Sequence, residues 1–228
     1  MRHHVVKQNV RTLRRDPGLR RLAAGRRVVI IAAGILLALA GQSSTQTVQT
    51  PPAPAPAPVA DDLADRALKA YAVTHTFWER YKLQLTTALK DGPVAAVGSY
   101  AEFATEIASS LSEETPFEIT RTAVRVRNAD NAPDAWELAN LENFDKQIKG
   151  GIDPKKIEAY SVITTKEGQR LFRYMRPIMM GEQCLACHGS DVKGDVKAEI
   201  ARTYPDDKAL GYNLGEMRGA FSLVQQLD

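Results

Sequence analysis

Between Leu63 and Leu89 the side chains Leu63, Ala67, Ala70, Tyr71, Thr74, Phe77, Trp78, Tyr81, Leu85 and Leu89 recur at intervals of three and four. That period lays one largely apolar stripe along a helix, so a helix is predicted over about 61–90, with Asp61 or Asp62 able to cap it. Asp91-Gly92-Pro93 breaks it. A second helix is predicted from Pro93 to about Leu111, with Val94, Val97, Ala101, Ala104, Ile107 and Ala108 on one face. The period then falls to two. From Glu118 to Val126 the chain alternates with enough β-branched residues to read as a strand.

Asn128-Ala129-Asp130-Asn131-Ala132-Pro133-Asp134 is turn chemistry, and Asp134 or the residues just before it can start a short helix holding Trp136, Leu141 and Phe144. Ala159 to Thr165 and Arg170 to Ile178 read as a hairpin about Lys166-Glu167-Gly168. A Gly/Asp-rich loop follows residue 188, and Arg218 to Val224 reads as a closing strand. Helices first and then a run of hairpin strands predict an α+β domain with an antiparallel sheet.

Composition changes the picture at the amino terminus. Residues 1–27 hold nine Lys/Arg against one acid, and Val28 to Ala40 is an unbroken run of apolar residues and Gly. A basic segment, an apolar run and Ala38-Leu39-Ala40 before Gly41 are the parts of a cleavable signal peptide, with an uncleaved N-terminal anchor as the alternative. About thirteen apolar residues is short for a span, which needs about twenty. The whole-chain charge of +3 therefore conceals a remainder with 21 bases and 26 acids. No exported basic patch argues for nucleic acid. Residues 41–60 are polar and then Pro/Ala-rich, a linker composition that cannot bury a core. The expected organisation is a targeting or anchoring segment over 1–40, a linker over 41–60 and one domain over 61–228, in the periplasm.

The densest chemistry lies in Cys184-Leu185-Ala186-Cys187-His188. Cys-x-x-Cys-His is the attachment sequence for a c-type heme: two thiols three positions apart reach the two vinyl groups along one porphyrin edge, and the histidine is carried under the iron. A zinc site normally needs four ligands, and His75 is the only further Cys or His in the exported part. A thioredoxin-like pair needs no following histidine. Both cysteines being used, no disulfide is expected. The chain has one such motif and no internal repeat, so one covalent heme c per chain is expected.

Arg127-Asn128, Asn131-Ala132-Pro133-Asp134-x-Trp136-Glu137, Tyr174-x-x-Pro177-Ile178, Cys184-Leu185-x-Cys187-His188-Gly189, Tyr204-Pro205-x-Asp207-x-Ala209-x-Gly211-Tyr212 and Gly215-x-x-Arg218-Gly219-Ala220 stand in consistent order. Together they resemble the monoheme c-type domain family with a PAS-like fold, long filed as a domain of unknown function and including a cyanobacterial protein associated with photosystem II. The resemblance covers about residues 62–226. It implies a PAS-like five-stranded antiparallel sheet flanked by helices, with covalent heme in its pocket, in proteins proposed as redox or gas sensors. Some relatives are input domains ahead of signalling modules; here none follows Asp228, so the domain is expected to act alone or through a separate protein.

The resemblance also implies one departure. Members can place a cysteine in the second helix as the axial ligand opposite the motif histidine, and aligning Ala96-Val97-Gly98-Ser99 with that stretch puts Tyr100 in its place. The sixth iron position is then open to Tyr100, to His75, to one of Met175, Met179, Met180 and Met217, or to nothing. Arg121, Arg125, Arg127 and Arg218 are candidates to hold the propionates, Arg127 first. Tyr174, Phe172 and Ile178 are read as pocket wall. No Ser/His/Asp set, phosphate loop or carboxylate pair argues for catalysis, although weak peroxidase-like activity stays open. The expected role is a redox or diatomic-gas sensor, with a periplasmic monoheme electron-transfer protein as the alternative; the partner is then a small diatomic gas or a redox protein.

Overall fold

The structure, a computed structural model, describes residues 60–227; the side chains of residues 60, 61, 100 and 101 are outside the described set. The expected signal or anchor and the linker lie outside the described residues. Within them, no helix is long and apolar enough to cross a membrane.

The first helix, α1 (Ala60–Ala88), ends in a 3-10 turn at Leu89–Asp91, and Gly92 carries the chain into α2 (Pro93–Glu114). Gly92 has φ of +97°, a conformation that costs a residue without Cβ little, and Pro93 supplies a preset first helical φ. Asp62 does not cap α1; its carboxylate accepts from Arg66 one turn on, at 3.0 Å. Ala67, Ala70, Phe77, Tyr81 and Leu85 of the expected α1 stripe are buried together with Val73, and Ala104 and Ile107 of the expected α2 face with Phe103 and Leu111, whereas Tyr71 and Val94, expected on those faces, are exposed. Arg80 fastens the hairpin by a two-pronged bond to Glu114, at 2.8 and 2.9 Å.

Four strands form the antiparallel sheet: β1 (Glu118–Thr122), β2 (Ala159–Thr164), β3 (Arg170–Met179) and β4 (Met217–Leu227). Their order is β1-β4-β3-β2, so the last strand in sequence completes the middle of the sheet. Among the described residues the sheet has four strands where five were expected. Between residue 188 and β4 the described backbone adds no further strand, but only an isolated parallel bridge between Gly189 and Tyr212. β1 is also shorter than its alternation, because Ala123 N–H turns away to the Asn131 carbonyl. Gly219 of β4 lies against this corner; a Cβ there would collide with the Thr122 carbonyl oxygen and stand 2.9 Å from Ala123 Cβ.

The period of two divides β3 and β4 cleanly. Phe172, Tyr174, Phe221 and Leu223 face α1 and α2, and Met175 and Ala220 meet Leu141 and Phe144 of α3 (Ala135–Lys149) on the other side. α3 starts as expected at Asp134, whose side chain accepts from Glu137 N–H while Glu137 returns the bond, a capping box. The same two acids hold buried Arg173 of β3 at 2.8 and 3.4 Å, and its guanidinium lies 4.4 Å from the centre of the Trp136 ring. α3 is thus anchored to the sheet by charge as well as by packing.

The segment expected to be a Gly/Asp-rich loop contains a helix instead, α5 (Gly194–Thr203), preceded by the single turn α4 (Leu185–His188). Val196 and Ile200, one turn apart, supply its apolar stripe and pack with Val192 against Val97 of α2. Two apolar positions among glycines and acids are too faint a period to read without that partner.

Candidate functional site

Cys184 ends a 3-10 turn and α4 carries the rest of the motif, wrapped by the loop running to β4. Its chain geometry depends on Gly189: a Cβ at this position would stand 2.7 Å from the Leu185 carbonyl oxygen, which already accepts from Gly189 N–H at 2.9 Å. The wrapping loop is stitched to the motif through main chain, Tyr212 N–H to the His188 carbonyl and Gly211 N–H to the Gly189 carbonyl, both at 2.9 Å.

His188 is buried, 8 % exposed, and its Nδ1 lies 2.8 Å from the Ala209 carbonyl oxygen. A carbonyl can only accept, so Nδ1 carries the proton and Nε2 presents a bare lone pair. Burial, then the charges of Arg218 and Arg127, push the imidazole's pKa well below the ordinary histidine value, outweighing the bond to Ala209. Near neutral pH the ring is a neutral, tautomerically fixed base.

The two thiols are free and half-buried. Cys187 packs against the cluster of Val97, Val192, Val196 and Ile200, and Cys184 against that of Met180, Ala209 and Tyr212. Burial raises the pKa of both. Reactive redox thiols are made by the opposite shift. Among the described residues no group of three or more His, Cys, Asp or Glu side chains could hold a metal ion.

Arg127 is the brace of the site. Its Nη2 donates to the Cys187 carbonyl at 2.6 Å and reaches the Ala209 carbonyl at 3.4 Å, while Nε and Nη2 bond Asp207 at 3.1 and 3.2 Å. Both side chains are under a tenth exposed, and Asp207 also accepts from Ala209 N–H at 2.9 Å. The pair therefore holds in place the carbonyl that fixes His188. Arg125 lies over the Tyr212 ring at 3.9 Å, Arg218 lies 5.5 Å from the same ring and donates to the Arg125 carbonyl, and Tyr212 meets His188 edge-on. Arg121 stands over Phe77 and Tyr81.

The remaining expected residues are spread more widely. Tyr174 and Phe172 belong to the core under α1 and α2; Tyr174 is fully buried and donates to Glu158 at 2.7 Å, and burial and then this bond raise its pKa. His75 is exposed on α1. Tyr100 lies on α2, its side chain outside the described residues. Met175 and Met217 pack on the α3 side of the sheet, whereas Met180 belongs to the small buried cluster against which Cys184 packs. Asp207, Ala209 and Tyr212 were assigned no role from the sequence; the order Asp207-x-Ala209-x-Gly211-Tyr212 was the signal available, and what it does is set by contacts 20 residues from the motif.

The Tll0287-like family model matches residues 30–225 of the 228. The chain belongs to the Tll0287-like family. The motifs that suggested a monoheme family are thus carried by a Tll0287-like chain over nearly its whole length. Its fold is similar to the crystal structure of the cyanobacterial heme-protein Tll0287, with a TM-score of 0.56 and 20% sequence identity, over 72% of this chain and 96% of that one. At that identity the likeness is one of fold. No curated protein matches this Tll0287-like chain.

Proposed function

We propose that this chain is an exported heme-binding protein carrying one heme c, attached through Cys184 and Cys187 with His188 as iron ligand, and that it works as a redox or diatomic-gas sensor. The observation that carries the reading is His188: buried, neutral, protonated on Nδ1 toward Ala209, with Nε2 left to coordinate. A histidine that ligates iron needs its other nitrogen bonded to a fixed acceptor, and here that acceptor is braced by a buried ion pair. The donor set fits a c-type heme. A bound heme would supply a one-electron iron centre with a coordination position opposite the histidine.

The chain's own residues would do the rest. The raised thiol pKa values suit cysteines meant for capture as thioethers rather than for disulfide exchange. Arg218, Arg127 and Arg121 surround His188 with positive charge, a field that favours carboxylates such as propionates. Arg127 is already committed to Asp207 and two carbonyls, so its part is positioning. Cys187 packs against the small cluster in which Val97 of α2 meets α5, so a change at the motif has a route into a long helix of the main core. That contact supports sensing. Such attachment takes place outside the cytoplasmic membrane, which is where the basic and apolar amino-terminal segments would send the chain.

The half-exposure of both cysteines favours a second reading, electron transfer, because it would leave one heme edge near the surface. Optical spectra of the protein made with c-type maturation machinery, oxidised and reduced, with and without carbon monoxide and nitric oxide, separate the two. Rapid gas binding is expected; a low-spin spectrum indifferent to both gases would turn the reading to electron transfer. Absence of covalent heme after denaturation would overturn both.

A further inference from the structure

One hydrogen bond does not fix a histidine ring. The Nδ1 proton of His188 reaches the Ala209 carbonyl oxygen at 2.8 Å, and a carbonyl accepts over a broad range of directions, so χ1 and χ2 could still turn together with Nδ1 in reach. That motion keeps the tautomer and rotates the plane of the imidazole. For a metal ligand the plane matters as well as the lone pair, because its angle sets how the ring's π electrons overlap the orbitals of the metal.

A second restraint acts on the same ring. Tyr212 is buried, 5 % exposed, and stands edge-on to the imidazole, with ring centres 6.3 Å apart and planes at 85°. Such edge-to-face pairs are attractive at centre separations of about 4.5–7 Å. Tyr212 is also tied to His188 through main chain, its N–H donating to the His188 carbonyl at 2.9 Å, so ring and ring share one backbone anchor. The tyrosine ring is held in its turn: the Arg125 guanidinium lies over it at 3.9 Å, and its hydroxyl donates to the Arg218 carbonyl at 3.4 Å. Arg125 donates to the Lys208 carbonyl at 3.3 Å, and its own carbonyl accepts from Arg218 at 3.0 Å. Packing with Met180 and Ala209 is non-directional, whereas the guanidinium and the hydroxyl bond act at given points of the ring. We infer that Tyr212 is a positioning residue for His188: Ala209 fixes which nitrogen is bare, and the Tyr212 ring fixes the plane in which that nitrogen is presented. The use of that plane rests on His188 being the iron ligand; the restraint itself does not.

The test has one arm without heme and one with it. In the full chain without heme, nuclear relaxation of the His188 ring carbons is expected to show a rigid ring in the wild type, with an order parameter of about 0.85, and a loose one in Tyr212→Leu, below about 0.6. Tyr212→Phe keeps the ring and is expected to keep the rigid value. Should Tyr212→Leu fail to fold, Tyr212→Met, an adaptable apolar side chain, replaces it. In the heme-loaded protein, cyanide added to the ferric form gives heme-methyl proton shifts whose order reports the imidazole plane. That order is expected to change, or to split into two sets, in Tyr212→Leu and to hold in Tyr212→Phe. A loose ring in the wild type, a Tyr212→Leu ring as rigid as the wild type, or an unchanged order of methyl shifts overturns the inference. A rigid ring freed by Tyr212→Leu in a chain that takes up no covalent heme upholds the restraint and overturns the heme reading alone.

Discussion

The core under α1 and α2 and the segment that carries Cys184, Cys187 and His188 are stabilised by different physics. The first is aromatic and continuous: Phe77, Phe103, Phe117, Phe172, Tyr174 and Phe221 are buried together, with Phe77 and Phe221 edge to face at 5.3 Å. The second has only small satellite clusters, and its order comes from main-chain bonds and one buried ion pair. Apolar burial is non-directional and tolerates small errors; the Arg127–Asp207 pair is directional and fixes a single arrangement. The difference teaches that one part of the molecule is built for stability and the other for the position of a few atoms around His188.

The sharpest break between the two is Cys184→Ala together with Cys187→Ala. Covalent heme is expected to disappear from denaturing-gel heme staining, while far-UV circular dichroism keeps the α+β spectrum of the core. Next is Phe77→Ala, which empties the centre of the aromatic core and is expected to cost about 3–5 kcal/mol in chemical denaturation. Arg127→Met attacks the other side of the comparison: it strands a buried Asp207 carboxylate, with an expected loss of about 3 kcal/mol, and Arg127→Met with Asp207→Leu recovers most of it. If the pair also positions Ala209 for His188, the double variant recovers stability without recovering the native heme spectrum. Tyr174→Phe removes one buried donor and is expected to cost about 1 kcal/mol.

The smallest effect is electrostatic and sits on the exposed helix hairpin. Arg80 and then Ser110 hold the Glu114 carboxyl down to about 2, below its ordinary 4.5. A depressed carboxylate stabilises the fold above its ordinary value and loses that contribution as pH falls from 4.5 toward 2. Glu114→Gln is therefore expected to flatten the dependence of Tm on pH in that window, with a slight fall in Tm at neutral pH that added salt diminishes.

Both long helices, the capped start of α3 and the β2–β3 hairpin were legible, because each depends on neighbours in sequence: a period of 3.6 or 2, a capping residue, a glycine turn. The motif was legible for the same reason, since its chemistry fits within five residues. α5 was not. Val196 and Ile200 have meaning only against Val97, a residue 99 positions earlier in the case of Val196. Likewise β1 ends early because Ala123 N–H turns to the Asn131 carbonyl while Gly219 lets β4 approach the corner closely, which no local period records.

The sequence by itself determined the two long helices and the start of α3, the strands' alternation and the Cys-x-x-Cys-His unit, all short-range consequences of backbone geometry and side-chain chemistry. Only the tertiary structure decided that Arg127 braces the site by way of Asp207, and that Ala209 fixes the tautomer of His188. It alone also placed the final strand between β1 and β3 and left β2 at an edge. Those outcomes depend on burial and on bond direction between residues far apart in the chain, and both exist only once the chain has folded.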